Sequence, residues 1–394
     1  MIAFPEWAQA NTGGTAEKYI LSCFFTIFCK ETGFFLPQLS MTILNCEGEN
    51  HMKSMKKTLS ALVVAAMVAG CSSNTTTSQN STSKGSAMFS VGVAQLVDHP
   101  SLNTIRESMM DEFEQQGYIE GENIMFNYQN AANKTSNLDS IMTGYAADEV
   151  NAIVAIATPT ALAAQKYSDQ IPLVFSAVSD PVDAGLVESI EHPGGNITGT
   201  SDEIQVEQII DMMLMLSPEI KQVGILYNPG EANSVSTVSR FNDYAKTKGL
   251  EIMERTGTDN TTMQQAAVDL ASQVDAMFSP IDNTVATGMV SLAQIARDAG
   301  VPYYVGADSM VETGGFATVG INYESLGRET AKMTIEILKG KSPADIPVKV
   351  FKDNLNVYIN EDVLNDLKEN GKVKVDIPED LQGQENLILV QSEQ

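Results

Sequence analysis

Several short segments rich in Ser, Thr, Asn and Asp each follow a run of apolar residues. They are Gln95-Leu96-Val97-Asp98-His99-Pro100-Ser101, Ala157-Thr158-Pro159-Thr160, Ser176-Ala177-Val178-Ser179-Asp180-Pro181, Asn228-Pro229-Gly230-Glu231-Ala232-Asn233-Ser234, Ser279-Pro280-Ile281-Asp282-Asn283 and Gly306-Ala307-Asp308-Ser309. In open α/β sheets ligands sit beyond the C-terminal ends of the strands, where helices begin. The first half of the chain offers Gln95, Asp98, Thr158, Thr160, Ser176 and Asp180, hydroxyls and helix N-termini that suit a carboxylate. The second half offers Asn228, Glu231, Asn233, Ser234, Asp282, Asn283 and Asp308, of which Asp282 and Asp308 suit an ammonium group. A cleft that joins the two sets fits a zwitterion. Taken singly, each of these residues is most simply a helix cap, Thr158 as N-cap ahead of Pro159 at N1. His99 reads as a capping or hydrogen-bonding group before Pro100, since no nucleophile pairs with it as general base. There is no Gly-x-Ser-x-Gly elbow, P-loop or Gly-x-Gly-x-x-Gly, and Ser81-Thr82-Ser83-Lys84 falls in a polar tract. No enzyme is expected.

The elements that must position these segments alternate. Strand patterns at 89–94, 124–128, 152–157 and 173–175 are separated by helix patterns, one carrying Ile105, Met109 and Phe113 four apart. This βαβα order predicts a parallel sheet covered by helices on both faces. After the turn cluster Pro193-Gly194-Gly195-Asn196 the pattern restarts, with strands at 223–227, 250–253, 276–278 and 303–305. A late helix carries Leu326, Thr330, Met333 and Ile337 on one face, and an extended run from 348 to 359 precedes helix 361–370. Two similar α/β units with segments left over predict a chain crossing between lobes at 196–202, 314–321 and 344–351; two independent tandem domains are the alternative. The lobes are expected at 87–200 plus 317–343 and at 201–316 plus 344–378, with 379–394 a tail.

The N-terminal region speaks to location. Lys53, Lys56 and Lys57 precede an apolar stretch from Leu59 to Val68 that ends in Val68-Ala69-Gly70-Cys71. That is the layout of a secretory signal, too short to span a bilayer, and it resembles the bacterial lipobox, which implies that Cys71 is lipidated and becomes the N-terminus. Residues 71–86 are polar and small enough to act as a flexible tether. Translation is expected to start at Met52 or Met55, which leaves 1–51 as an upstream extension and 52–70 as the signal peptide. Removing residues 1–70 takes away Cys23, Cys29, Cys46 and Trp7, so Cys71 is the one cysteine left and no tryptophan remains. A disulfide or Cys-based metal site is then excluded, and His99 and His192 are too far apart in sequence to suggest zinc. The formal charge of −26 stays on the exported part, because the acidic and basic residues of 1–70 balance. That argues against nucleic acid as a partner.

Val93-Ala94-Gln95 with Asp98 to Leu102, Ile156 to Pro159, Asp180-Pro181 with Pro193 to Gly199, and Tyr227 to Glu231 with Asn233-Ser234 resemble one family. It is the ABC-transporter substrate-binding lipoproteins that include tryptophan- and tyrosine-binding members. Asp282-Asn283, and Asn322-Tyr323 ahead of Leu326-Gly327, continue the resemblance, which covers about 88–372. It implies a two-lobed periplasmic-binding-protein fold with three crossovers, closing on ligand by a hinge, with no cofactor and no metal. It also implies an amino-acid ligand, an ABC permease with its ATPase as partner, a membrane anchor at Cys71 and a monomer. Tyr227, Tyr303, Tyr304 and Tyr323 are candidate stacking surfaces; only Tyr323, at a helix start near the hinge, is expected in the cleft. Related lobes bind branched amino acids, sugars and nucleosides, so those ligands stay open, as does a ligand-sensing partner of a membrane receptor.

Overall fold

A computed structural model of the chain describes residues 88–352 and 355–392. The signal segment, Cys71 and the tether lie outside the described residues. No helix among the described residues is long and apolar enough to cross a membrane.

The first sheet contains β1 (Phe89–Gln95), β2 (Ile124–Asn130), β3 (Ala152–Ile156), β4 (Leu173–Ser176), β5 (Ile197–Ser201) and, much later in the chain, β11 (Lys349–Val350). Their order is β11-β5-β4-β3-β1-β2, and every pairing is parallel. Ala152-Ile153-Val154-Ala155-Ile156 is buried at every position, as a strand covered on both faces must be. Helices α1 (Pro100–Gln115), α2 (Thr135–Ala147) and α3 (Thr158–Gln165) connect its early strands.

The second sheet takes β6 (Gln222–Tyr227), β7 (Glu251–Thr256), β8 (Ala276–Ser279), β9 (Tyr303–Val305), β10 (Ala317–Gly320), β12 (Asn356–Asn360) and β13 (Leu387–Val390). Its order is β13-β12-β10-β9-β8-β6-β7, with β10 and β12 antiparallel. Helices α4 (Val206–Leu216), α5 (Ala232–Thr247), α6 (Asn260–Gln273), α7 (Asn283–Asp298) and the short α8 (Asp308–Glu312) belong to this unit.

α9 (Tyr323–Leu338) returns to the first unit and packs along α1. Gly327 makes that approach possible, since a Cβ there would lie 2.1 Å from Ser108 Oγ and 2.3 Å from the Ile105 carbonyl. Below it, Thr330 Oγ1 bonds Ser176 Oγ at 2.8 Å and Thr200 Oγ1 at 3.0 Å. α9 is thereby seated on β4 and β5, with its first residue, Tyr323, directed toward the junction of the lobes. α10 (Glu361–Asn370) and α11 (Glu379–Gln382) complete the chain.

The chain does cross three times, a few residues later than the sequence suggests. β5 finishes its pairing with β4 before the chain leaves at 202–205. β10, expected in the first lobe, pairs with β9 and β12 in the second sheet, and β11, expected in the second lobe, pairs with β5 in the first. The extended run 348–359 is therefore two strands in different sheets. The tail is not outside the fold either: β13 pairs in parallel with β12, from Val357–Leu387 to Asn360–Val390.

Candidate functional site

The C-terminal ends of both sheets face one another across a narrow cavity that opens to solvent and whose enclosed space is about 20 Å³. Hydrogen bonds join the lobes at its rim: Ser101 Oγ to Ser309 Oγ at 2.6 Å, and Ser236 Oγ to Asp180 Oδ2 at 2.9 Å.

The first lobe contributes His99, Ser101 and Leu102 from the start of α1, Ala157 and Thr158 from the start of α3, and Ala177 and Ser179 after β4. Thr158 is not the N-cap. Helix α3 begins at Thr158 itself, with Ala157 as N-cap making no side-chain bond and Pro159 inside the first turn. This leaves Thr158 Oγ1 buried without a partner, and Thr160 Oγ1 likewise two residues on, outside the cavity lining. His99 does occupy the N-cap position of α1 but makes no capping bond. Burial drives its pKa down to about 4, against the pull of Asp98, so it is neutral at physiological pH.

Two of these residues have left-handed backbone without being glycine: Ala157 at φ 80° and Ala177 at φ 55°. Such conformations store roughly 1–3 kcal/mol and persist where the surroundings impose them. Ala157→Gly should therefore stabilise the ligand-free protein by about 1 kcal/mol after the extra entropy of glycine in the unfolded chain is subtracted. A thermal midpoint that stays level or falls would show that Ala157 is unstrained.

The second lobe contributes Asn233 from α5, Ile281, Asp282, Asn283 and Ala286 around the start of α7, and Ala307 and Met310 around α8. Asp282 is fully buried and caps α7 through Oδ1, which accepts from Val285 N at 2.9 Å. Its Oδ2 accepts from Asn228 N and Ser234 Oγ, each at 2.7 Å. Burial first, then the neighbouring Glu231 carboxyl, push its pKa up. Asn233 donates to the Ile281 carbonyl at 2.7 Å, while its Oδ1 is buried without a partner.

Two residues close the cavity at the hinge side. Tyr323 is 5% exposed, and its hydroxyl meets no partner in hydrogen-bonding geometry although it lies near the carboxyls of Asp202 and Asp308. Asp202, directly after β5 on the first crossing, is 3% exposed and accepts from Ser179 Oγ at 2.9 Å. Burial pushes its pKa up to about 6, against that hydrogen bond.

Of the residues singled out from sequence, Thr158, Asn233, Asp282, Asn283 and Tyr323 line the cavity. The others are placed elsewhere. Gln95 is the buried last residue of β1, donating to Val97 O and Asn103 Oδ1. Asp98 is exposed and accepts from Asn103 Nδ2. Ser176 belongs to the hydroxyl cluster beneath α9, and Asp180 to the interlobe bond at the rim. Asn228, Glu231 and Ser234 brace the start of α7. Asp308 lines an adjoining recess with Asn322 and Glu324, its pKa pushed up to about 6 by burial. Tyr303 and Tyr304 are core residues, and Tyr227 bonds Glu254 outside the cavity. Sequence reasoning missed Asp202, Ser101, Ser179 and Met310. Asp202 carried the same cue used for Asp180, an acidic residue just past a strand end.

The model of the ABC transporter substrate binding protein family matches residues 90–381. This chain belongs to that family. A tyrosine-binding protein of Clostridioides difficile (strain R20291) is 35% identical over 323 residues, covering 80% of this chain and 93% of the relative. An ABC domain from Streptococcus pneumonia, solved in complex with L-Trp, is 32% identical, with a TM-score of 0.72 over 77% of this chain and all of its own. The ligand-free, open structure of a substrate binding protein with adhesive properties from Clostridium difficile is 35% identical, with a TM-score of 0.60 over 78% of this chain and all of its own. The less identical, ligand-bound structure is thus the better superposition. A substrate-binding protein of two lobes is expected to differ in this way between open and closed arrangements. Among the described residues no group of His, Cys, Asp and Glu could hold a metal ion.

Proposed function

We propose that this protein is the extracytoplasmic, lipid-anchored substrate-binding component of an ABC importer. It captures an aromatic amino acid, tyrosine or tryptophan, between its lobes and presents it to a permease with its ATPase. The observation that carries this reading is the two-sided cavity with buried polar atoms left unpaired. Buried polar groups are normally satisfied, and the polar ends of an amino acid would give these their partners. Leu102, Ala177, Ala286 and Met310 give apolar surface for a ring, and Thr158, Ser179, Asn233 and Asp202 give polar groups for an amino-acid backbone. Thr158 at the start of α3 suits the carboxylate, and Asp202 rather than Asp308 suits the ammonium. The names of the relatives favour an aromatic side chain.

With processing at Cys71 the protein has no tryptophan, so bound indole is seen against a dark background. L-Tryptophan emission should shift to shorter wavelength on adding protein and return when excess L-tyrosine displaces it. The same preparation should pass from the membrane to the soluble fraction when Cys71 is changed to Ser, because two acyl chains are needed for stable anchoring. Unchanged emission together with no heat in calorimetry for either amino acid would remove the aromatic assignment. Membrane association that survives Cys71→Ser would remove the anchor.

A further inference from the structure

We infer that the cavity also takes aromatic monoamines, ligands with an ammonium group and no carboxylate, and that it rejects the matching arylpropionates. This rests on the reading of the site as an aromatic amino-acid site and concerns which end of the amino acid holds it there.

The inference follows from a charge inventory. The lining residues include the carboxyls of Asp202 and Asp282 and neither lysine nor arginine. The one basic side chain among them, His99, is held neutral by burial. The adjoining recess shares Ser101 and Tyr323 with the cavity and adds Asp308, while its Glu324 is paired with Arg328 at 2.8 Å. Arg106 and Arg240 are turned to other partners, Glu107 and Glu203. A ligand carboxylate therefore meets only neutral donors and the starts of α1 and α3, each worth up to about half a positive charge, the start of α7 being capped by Asp282. A ligand ammonium meets the carboxyls of Asp202 and Asp282.

The two carboxyls are not equivalent. Both oxygens of Asp282 already accept from Asn228, Ser234 and Val285. Asp202 accepts from Ser179 at Oδ1 and faces the unpaired Tyr323 hydroxyl across the cavity wall. Asp202 is thus the ammonium partner. Removing the ligand carboxylate forfeits neutral hydrogen bonds. Removing the ammonium leaves the cavity carboxyls uncompensated and brings a further anion beside them, the like-charge arrangement that interfaces avoid.

The test is a calorimetric series on the processed protein at pH 7.5: L-tyrosine, tyramine, 3-(4-hydroxyphenyl)propionate, and the corresponding indole compounds. Tyramine or tryptamine should bind within roughly 30-fold of its amino acid, and the propionates should be weaker by a thousandfold or more. Propionates binding as well as the amines, or amines failing where the amino acids bind, would overturn the inference. If neither amino acid binds while an amine does, the amino-acid reading fails and the charge argument stands. Because the series changes ligands and not the protein, no folding defect can imitate either result.

Discussion

Asp202→Asn should weaken L-tyrosine and L-tryptophan binding by roughly 30- to several-thousand-fold, the effect of truncating one member of a buried charged hydrogen bond. The same change should stabilise the ligand-free protein at neutral pH. Burial holds the Asp202 carboxyl at a pKa of about 6 against an ordinary 3.8, so the folded state binds its proton more tightly than the unfolded chain does. For such a raised group the stabilisation is present below the unfolded pKa and is lost as pH rises from about 4 through about 6. The neutral amide avoids that loss, and Ser179 Oγ keeps an acceptor. A variant that binds normally would remove Asp202 from the ammonium site; one with weakened binding and a lowered thermal midpoint would point to a folding role instead.

The same carboxyl sets a pH dependence for the wild type. Beside Asp202 are Ser179 after β4 and Tyr323 of α9, while Asp282 ahead of α7 and His99 ahead of α1 share its cavity. The nearest cations in the chain, Arg240 and Lys352, are bridged to Glu203, so inside the cavity the ligand ammonium is the group that neutralises Asp202. An ammonium ligand requires the carboxylate, and affinity should fall about tenfold per unit as pH drops below the Asp202 pKa of about 6. Flat affinity between pH 5 and 7.5 would contradict this.

The fold was legible because burial on both faces of a parallel sheet forces continuous apolar runs, as in Ala152–Ile156, and helices between them announce themselves by period. Legibility stopped where partners are distant in sequence. Lys349–Val350 and Asn356–Asn360 form one extended stretch by composition, and only the availability of β5 and β10 as neighbours divides them. Leu387–Val390 is a strand because β12 offers it an edge, which local pattern cannot reveal. At the site, strand-end acids were findable, but their directions were not. Asp98, Asp180 and Asp202 share one cue; the first is exposed, the second ties the rim and the third enters the cavity. The motif Asn228–Ser234 carried much of the family resemblance, yet its Asn228, Glu231 and Ser234 hold the start of α7, and Asn233 bonds Ile281 just ahead of it.

Glu231→Ala should test that bracing role with a large loss of stability. The Glu231 side chain is 6% exposed, and its oxygens accept from Asn283 N (2.9 Å), Asn283 Nδ2 (2.6 Å), Thr284 N (3.0 Å) and Thr284 Oγ1 (2.9 Å). An anion at the first turn of α7 also suits the helix dipole. Alanine strands these donors in a dry site, where each unsatisfied group is worth about 1–3 kcal/mol. Partial relaxation brings the expected total to about 3–5 kcal/mol. One effect opposes it. Glu231 helps push the Asp282 pKa up, so its removal eases the charge on Asp282. That relief is the smaller, because burial outranks Glu231 as the cause and burial remains. Glu231→Gln, which keeps one acceptor oxygen, should fall between wild type and alanine in thermal midpoint. Ligand affinity should drop with alanine as well, since Asp282, Asn283 and Ala286 reach the cavity from the turn that Glu231 holds. Alanine and glutamine variants melting with the wild type would show that α7 begins unaided.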